Sequence, residues 1–389
     1  MSRFFSLTLC LAASFSTVVA LAQADDQPES STKPVTYVYV TRPTHLDGFS
    51  VASNGKLTAV PGSPFANISV QGIVGNGKYL FGVIGNSVDA FSIAANGSVK
   101  LAAANAINEP SGSCGIQSQL VLDHTGATLY PAAFVGGLCD STDFLSYQIE
   151  SGGKLKYLGD SGQTFLWDTP LTFSSSNKFA FGSECIDYEG GFLYTFSGYG
   201  RSSSGHLTLE SSIAPPNMNP ENSDDYYCIK AVAADPSGHL AVSLQPISNS
   251  TDLPDGESQL GTFTLSSSGK LTTSSSWKNM PTTGTGATAL AMSPSGKLLA
   301  VGGGGLEGGG GGFQIFHFNG SSPITKDSGV LQSSVQFNAF AWDSANHLFA
   351  LGNGELYVYT VTTSSITEAS GSPYSIPEAG TVIVQSVTP

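Results

Sequence analysis

Arg42 and His45 share one short polar stretch, Thr41-Arg-Pro-Thr-His-Leu. An imidazole beside a guanidinium offers a general base and a positive group for a developing oxyanion, the two needs of lactone or ester hydrolysis. Lys230 would add an ammonium, so Arg42, His45 and Lys230 form the candidate catalytic set. Asp168, Gln71, Gln117, Gln336 and Trp167 are polar and aromatic types that can hold a small ligand. Lys230 and Asp168 are expected to begin innermost strands and, with the glutamines, to ring the mouth of a central channel. The other histidines read differently. His206, His239 and His347 stand in turns where sister segments carry Lys56, Lys297 and Lys78; His124 is also in a turn, and His317 falls in a strand. No Gly-x-Ser-x-Gly or Ser-His-Asp pattern is present. The glycine run from Gly302 to Gly312 lacks the Gly-Lys-Ser/Thr that ends a phosphate loop.

The elements that must position these groups come in two alternating phrases. One is a strand, a polar turn and a strand: Ile73-Val-Gly-Asn-Gly-Lys-Tyr-Leu-Phe, Ala233-Ala-Asp-Pro-Ser-Gly-His-Leu-Ala-Val and Ala341-Trp-Asp-Ser-Ala-Asn-His-Leu-Phe-Ala are examples. The other is an alternating strand, a turn and a shorter strand, as in Gly48-Phe-Ser-Val-Ala-Ser-Asn-Gly-Lys-Leu and Thr262-Phe-Thr-Leu-Ser-Ser-Ser-Gly-Lys-Leu. A period of roughly 50 residues with four short strands per unit marks β-propeller blades. Innermost turns fall at Gly77, Gly126, Asn177, Gly238, Gly296 and Asn346. The chain opens one strand late, at Tyr37-Val-Tyr-Val, and ends on the missing strand, Thr381-Val-Ile-Val-Gln-Ser-Val. The fold expected is therefore all-β: a seven-bladed propeller of four antiparallel strands per blade, its ring closed by the C-terminal strand joining the N-terminal blade. Forty-six glycines fit many tight hairpins, and no helical periodicity follows the first segment.

That first segment has a basic start, an apolar run from Phe4 to Leu21 and small residues at Ala22-Gln-Ala24, the pattern of a secretory leader. Residues 1–24 are expected to be a signal peptide, 25–33 a linker and 34–389 a single propeller, exported to the periplasm or beyond as a monomer. No later segment is apolar enough for a bilayer span. The formal net charge is −14, and only Arg42 and Arg201 follow the leader as arginines, which excludes nucleic acid as a partner. The ligand expected on the loop face is a small molecule, glycan or protein.

Cys114, Cys139, Cys185 and Cys228 remain after the leader, an even count that reads as two disulfides in an exported chain. In a propeller, loops into innermost strands and loops between second and third strands open on one face. All four cysteines map to such loops, which favours Cys114–Cys139 and Cys185–Cys228. Their spacings of 25, 46 and 43 residues contain no Cys-x-x-Cys knuckle, so no metal is expected. Acidic residues gather in the same loops (Asp140, Asp143, Glu184, Asp187, Asp225, Asp255 and Glu257 among them) without any calcium-loop repeat, and read as a solvated rim. No cofactor is expected.

Tyr37-Val-Tyr-Val-Thr, the Gly48-Phe-Ser-Val…Asn-Gly-Lys-Leu hairpin and Ser63-Pro-Phe, echoed at Gly371-Ser-Pro-Tyr, resemble the YVTN/lactonase-type seven-bladed propellers. That family includes 6-phosphogluconolactonases of the cycloisomerase-2 type. The resemblance runs from about Thr36 to Pro389. It implies a propeller with a ligand face and, for its enzymes, lactone hydrolysis. No catalytic motif of the family maps onto this chain residue by residue. With so few basic groups, the residues favour a binding or scaffold module for a carbohydrate, peptide or protein, with a lactone hydrolase as the alternative.

Overall fold

A computed structural model describes residues 35–136, 139, 141–162, 171–188, 191–217, 225–248, 250–251, 253–303, 311–362 and 364–387. Seven antiparallel sheets succeed one another along the chain, and each has four strands in the order innermost to outermost. Blade 1 is built from Val382–Val387, Val35–Thr41, Leu46–Val51 and Leu57–Ala59. Blade 2 starts at Ile73–Gly75, blade 3 at Gly115–Leu122, blade 4 at Thr172–Phe173, blade 5 at Tyr226–Ala234, blade 6 at Ala289–Met292 and blade 7 at Phe337–Trp342. Blades 5 and 7 each add a short fifth strand, Leu253–Pro254 and Tyr374–Ser375.

Each innermost turn is held by its own first side chain. Asn76, Asp123, Asp235 and Asp343 accept from backbone N–H groups two to five residues on, and Ser174 and Ser293 do so from Phe179 and Leu298. The turn then closes through a residue at positive φ, Gly in four blades and Asn177 (59°) and Asn346 (63°) in two. This is why Asn, Asp or Ser followed by Gly or Asn recurs at these positions.

Neighbouring blades are locked by side chains of the second strand, which reach the outer hairpin of the next blade. Tyr39 Oη donates to the Gly97 carbonyl at 2.8 Å, Tyr130 Oη to that of Gly205 at 2.7 Å, and Gly152 N donates to Tyr79 Oη at 3.1 Å. Gly97 is required twice over: its φ is +80°, and a Cβ there would lie 2.5 Å from the Tyr37 ring. Between blades the core is apolar, as where Phe313, Phe337 and Tyr359 pack together.

Val382–Val387 pairs with Val35–Thr41 in unbroken register from Val40↔Val382 to Val35↔Val387, so the two ends of the chain close the ring. A second clasp lies beside this one. His347 of blade 7 is 3% exposed on its side chain, and its Nδ1 lies 2.6 Å from Asp343 Oδ2. It packs against Gly55 of blade 1 and is bonded to the Ser53 backbone. The Asp343 hydrogen bond raises the His347 pKa above 6.5 against the opposing effect of burial, with the Asp343 charge and the Ser53 backbone adding to the rise. A raised pKa gives stability that is complete below the unfolded value and is lost as pH rises through the folded one. His347→Gln should lower the melting temperature at pH 6, through loss of a charge-assisted bond worth about 1.5–3 kcal/mol. The gap to the native chain should narrow by pH 9. An equal gap at both pH values would refute the clasp.

Candidate functional site

Arg42 to His45 connect the second and third strands of blade 1, and the turn is closed by Arg42 N donating to the His45 carbonyl at 2.9 Å. The loop is pinned on both sides. Ser69 Oγ donates to the Pro43 carbonyl, and Thr41 exchanges backbone bonds with Gly380 and Thr381. Arg42 Nη1 and His45 Nε2 converge on one oxygen, Asp47 Oδ2, each at 3.6 Å. That is ion-pair distance, too long for a hydrogen bond. Asp47 is 9% exposed, and both its Oδ2 and Arg42 Nε are buried without a hydrogen-bond partner. His45 Nδ1 lies 3.0 Å from Thr44 Oγ1. Buried polar atoms left unmatched are unfavourable by about 1–3 kcal/mol each, so this loop has unmet hydrogen-bonding capacity of both signs.

The third-strand carboxylate Asp47 was not among the residues picked from the sequence. Asp89 holds the matching place in the Asp89-Ala-Phe-Ser-Ile phrase of blade 2, so Asp47 looks like repeat consensus. Only the Arg42–His45 turn above it gives it partners.

Lys230 and Gln117 do not join this cluster. Lys230 belongs to blade 5, three blades round the ring from blade 1. It does not begin its strand: Tyr226–Ala234 starts earlier, and Lys230 sits half-buried at a bulge between Ile229 and Ala231. Gln117 is buried, and its Nε2 donates to Thr142 Oγ1 at 2.7 Å, so its amide points into blade 3 and not to a channel mouth. Gln71 and Gln336 are exposed beside the innermost strands of blades 2 and 7. Trp167 and Asp168 lie outside the described residues.

The loop face rises over blades 4 and 5. Phe179–Tyr188 and Gly191–Arg201 stay paired from Phe179↔Gly200 out to Tyr188↔Gly191, so Cys185 sits within a strand where a loop was expected. Cys228 likewise lies inside Tyr226–Ala234. Strand-forming residues simply continue on both sides of each ladder. Cys114 and Cys139 form a disulfide. Cys228 is also disulfide-bonded, and the Cys185 side chain lies outside those described.

Of the acidic rim residues, Asp255 and Glu257 are exposed and Asp143 is not. Asp143 is 5% exposed and accepts from Ser161 N at 3.0 Å and Ser161 Oγ at 3.1 Å; burial, then the Asp160 charge, push its pKa up. Among the described residues no group of three or more His, Cys, Asp or Glu is placed to hold a metal. Asp140, Glu189, Glu221, Asp224 and Asp252 lie outside them. Tyr227 is 2% exposed, with burial raising its pKa to about 12, so it offers no stacking surface.

No family model matches the chain, and no curated protein does. Solved structures do. A protein from Lactobacillus plantarum aligns with 90% of this chain and 99% of its own, at 10% identity and a TM-score of 0.53. A functionally unknown protein from Desulfotomaculum acetoxidans covers 81% of this chain and 98% of its own at 12% identity, with a TM-score of 0.41. A chain of Kuenenia stuttgartiensis hydrazine synthase covers 80% and 91% at 13%, with a TM-score of 0.45. This chain is similar to the first of these in fold, and the likeness extends no further.

Proposed function

We propose that this chain is an exported propeller of the lactonase type, working as a binding module whose loop face recognises a carbohydrate. The observation that carries the reading is the convergence of two partly exposed side chains, Arg42 and His45, on the Asp47 carboxylate within one loop. A sugar hydroxyl can accept from the exposed part of the guanidinium and donate to the imidazole or the carboxylate, which a purely anionic or cationic ligand cannot. Residues 1–24 act as the leader, 25–33 as a linker and 34–389 as a monomeric propeller in the periplasm or outside the cell. The leader pattern and the disulfide support export. No helix among the described residues is long and apolar enough to cross a membrane.

Lactone hydrolysis is the second reading, favoured by one observation. His45 lies between the Thr44 hydroxyl and the Asp47 carboxylate, an order that lets an imidazole take a proton while a carboxylate stabilises it. Two measurements on residues 25–389 separate the readings: a glycan array, and acid release from δ-gluconolactone, 6-phosphogluconolactone and an acyl-homoserine lactone. The expected result is glycan binding that weakens at least tenfold in Asp47→Ala and Arg42→Ala, with no turnover above spontaneous hydrolysis. Turnover abolished by His45→Ala would replace the binding module with a hydrolase.

A further inference from the structure

On the opposite face, where the tight turns lie, an open groove of about 690 Å³ runs along blade 4, with Thr125 of blade 3 at one side. Its lining includes Ser176, Lys178, Phe179, Arg201, Ser203 and Glu210. We propose that this groove is a second binding site, selective for a neutral oligosaccharide. It is distinct from the Arg42–Asp47 loop and does not depend on the reading given to that loop.

Three features carry the assignment. The first is a donor fixed in place. Arg201 Nε donates to Tyr130 Oη at 2.8 Å, and Nη2 to Asp123 Oδ2 at 2.5 Å and Thr128 Oγ1 at 3.0 Å. Nη1 reaches only the Ser202 carbonyl, at 3.5 Å, which leaves directed donor capacity at the groove wall. A guanidinium already immobilised loses little entropy when a ligand docks.

The second is charge balance. Asp123 neutralises Arg201, and exposed Lys178 and exposed Glu210 line the same groove. A groove for phosphate or sulfate would carry uncompensated cations. This one offers charged donors and a carboxylate acceptor together, which suits a ligand made of hydroxyl groups. The third is its composition. Serine hydroxyls accompany those charges, and half-buried Phe179, whose ring packs on Gly269 and the core between blades 4 and 5, adds an apolar part to the lining. Gly200 has a structural part as well: a Cβ there would come 2.1 Å from Glu210 Oε1, so only glycine lets that carboxylate lie along the strand.

The test is calorimetric titration of residues 25–389 with malto-, cello- and chitohexaose, with inorganic phosphate and heparin as anionic probes. At least one neutral hexamer should bind, with affinity falling tenfold or more in Glu210→Ala and in Lys178→Ala. Arg201 is left intact because it supports the fold. Asp47→Ala should leave part of the binding untouched, at the stoichiometry of a second site. Three results would each overturn the proposal: no heat with any neutral hexamer, tighter binding of phosphate or heparin, or binding abolished by Asp47→Ala and indifferent to Glu210→Ala.

Discussion

Removal of residues 381–389 is expected to abolish the folded ring, not to fray one blade. Val382 and Val384 pack with Val38, Val40 and Leu351 between blades 7 and 1, while Ile383 and Val387 pack with Tyr37 and Tyr39 between blades 1 and 2. A fully buried Val or Ile contributes about 1.5–3 kcal/mol, and partly buried ones less. Four such side chains amount to about 5–8 kcal/mol, against a total stability of about 5–15 kcal/mol for most folded proteins. The ladder with Val35–Thr41 goes at the same time, and so does the bond from Gly77 N to Gln385 Oε1 at 2.7 Å that ties the strand to blade 2. Its loss also exposes the Val35–Thr41 edge, a site for pairing with other chains. Circular dichroism of the truncated chain should show no cooperative melt near that of the intact protein, and a synthetic peptide of residues 381–389 should restore it in part. A truncated chain that melts within a few degrees of the full one would sink the closure argument.

That closure is legible in the sequence because strand order leaves a countable gap: a chain that opens on a second strand must find its first elsewhere. The turns were legible for a similar reason. Positive φ at Gly77, Asn177 or Asn346 is a local demand that few residues meet. What escaped the sequence depends on partners far along the chain. Gln117 and Asp143 read as mouth and rim residues, yet each turns inward because Thr142 and Ser161 happen to face it. The raised ladders of blades 4 and 5 hid behind an expectation of equal blades. Asp47 hid behind its resemblance to Asp89. The site is thus half legible: its cations stand out as rare residues, and the carboxylate they share does not.

Arg201 shows the same limit from the other side, and its removal should be the most damaging single substitution. It is one of only three arginines in the sequence, yet it joins the blade 3 turn to the blade 4 hairpin by pairing with Asp123, whose side chain is 0% exposed. Arg201→Ala strands that carboxylate without its counter-charge, and breaking one side of a buried pair is unfavourable by about 3–5 kcal/mol. The melting temperature at pH 7 should fall by about 5–10 °C in both Arg201→Ala and Asp123→Asn. Burial alone would raise the Asp123 pKa. Bonds from Thr125 and Ala127, the Arg201 charge and Asn177 outweigh it and hold the value below 3.8. A lowered carboxylate pKa gives stability that is present above the unfolded value and lost as pH falls through the folded one. The native chain should therefore converge on Asp123→Asn as acid takes the pH below 3.8 and through the lowered value. A pair that served only as surface decoration would show a shift of about a degree, insensitive to pH. Replacing both partners by apolar residues of similar volume should recover much of the loss, because what destabilises the single variants is a buried charge left alone.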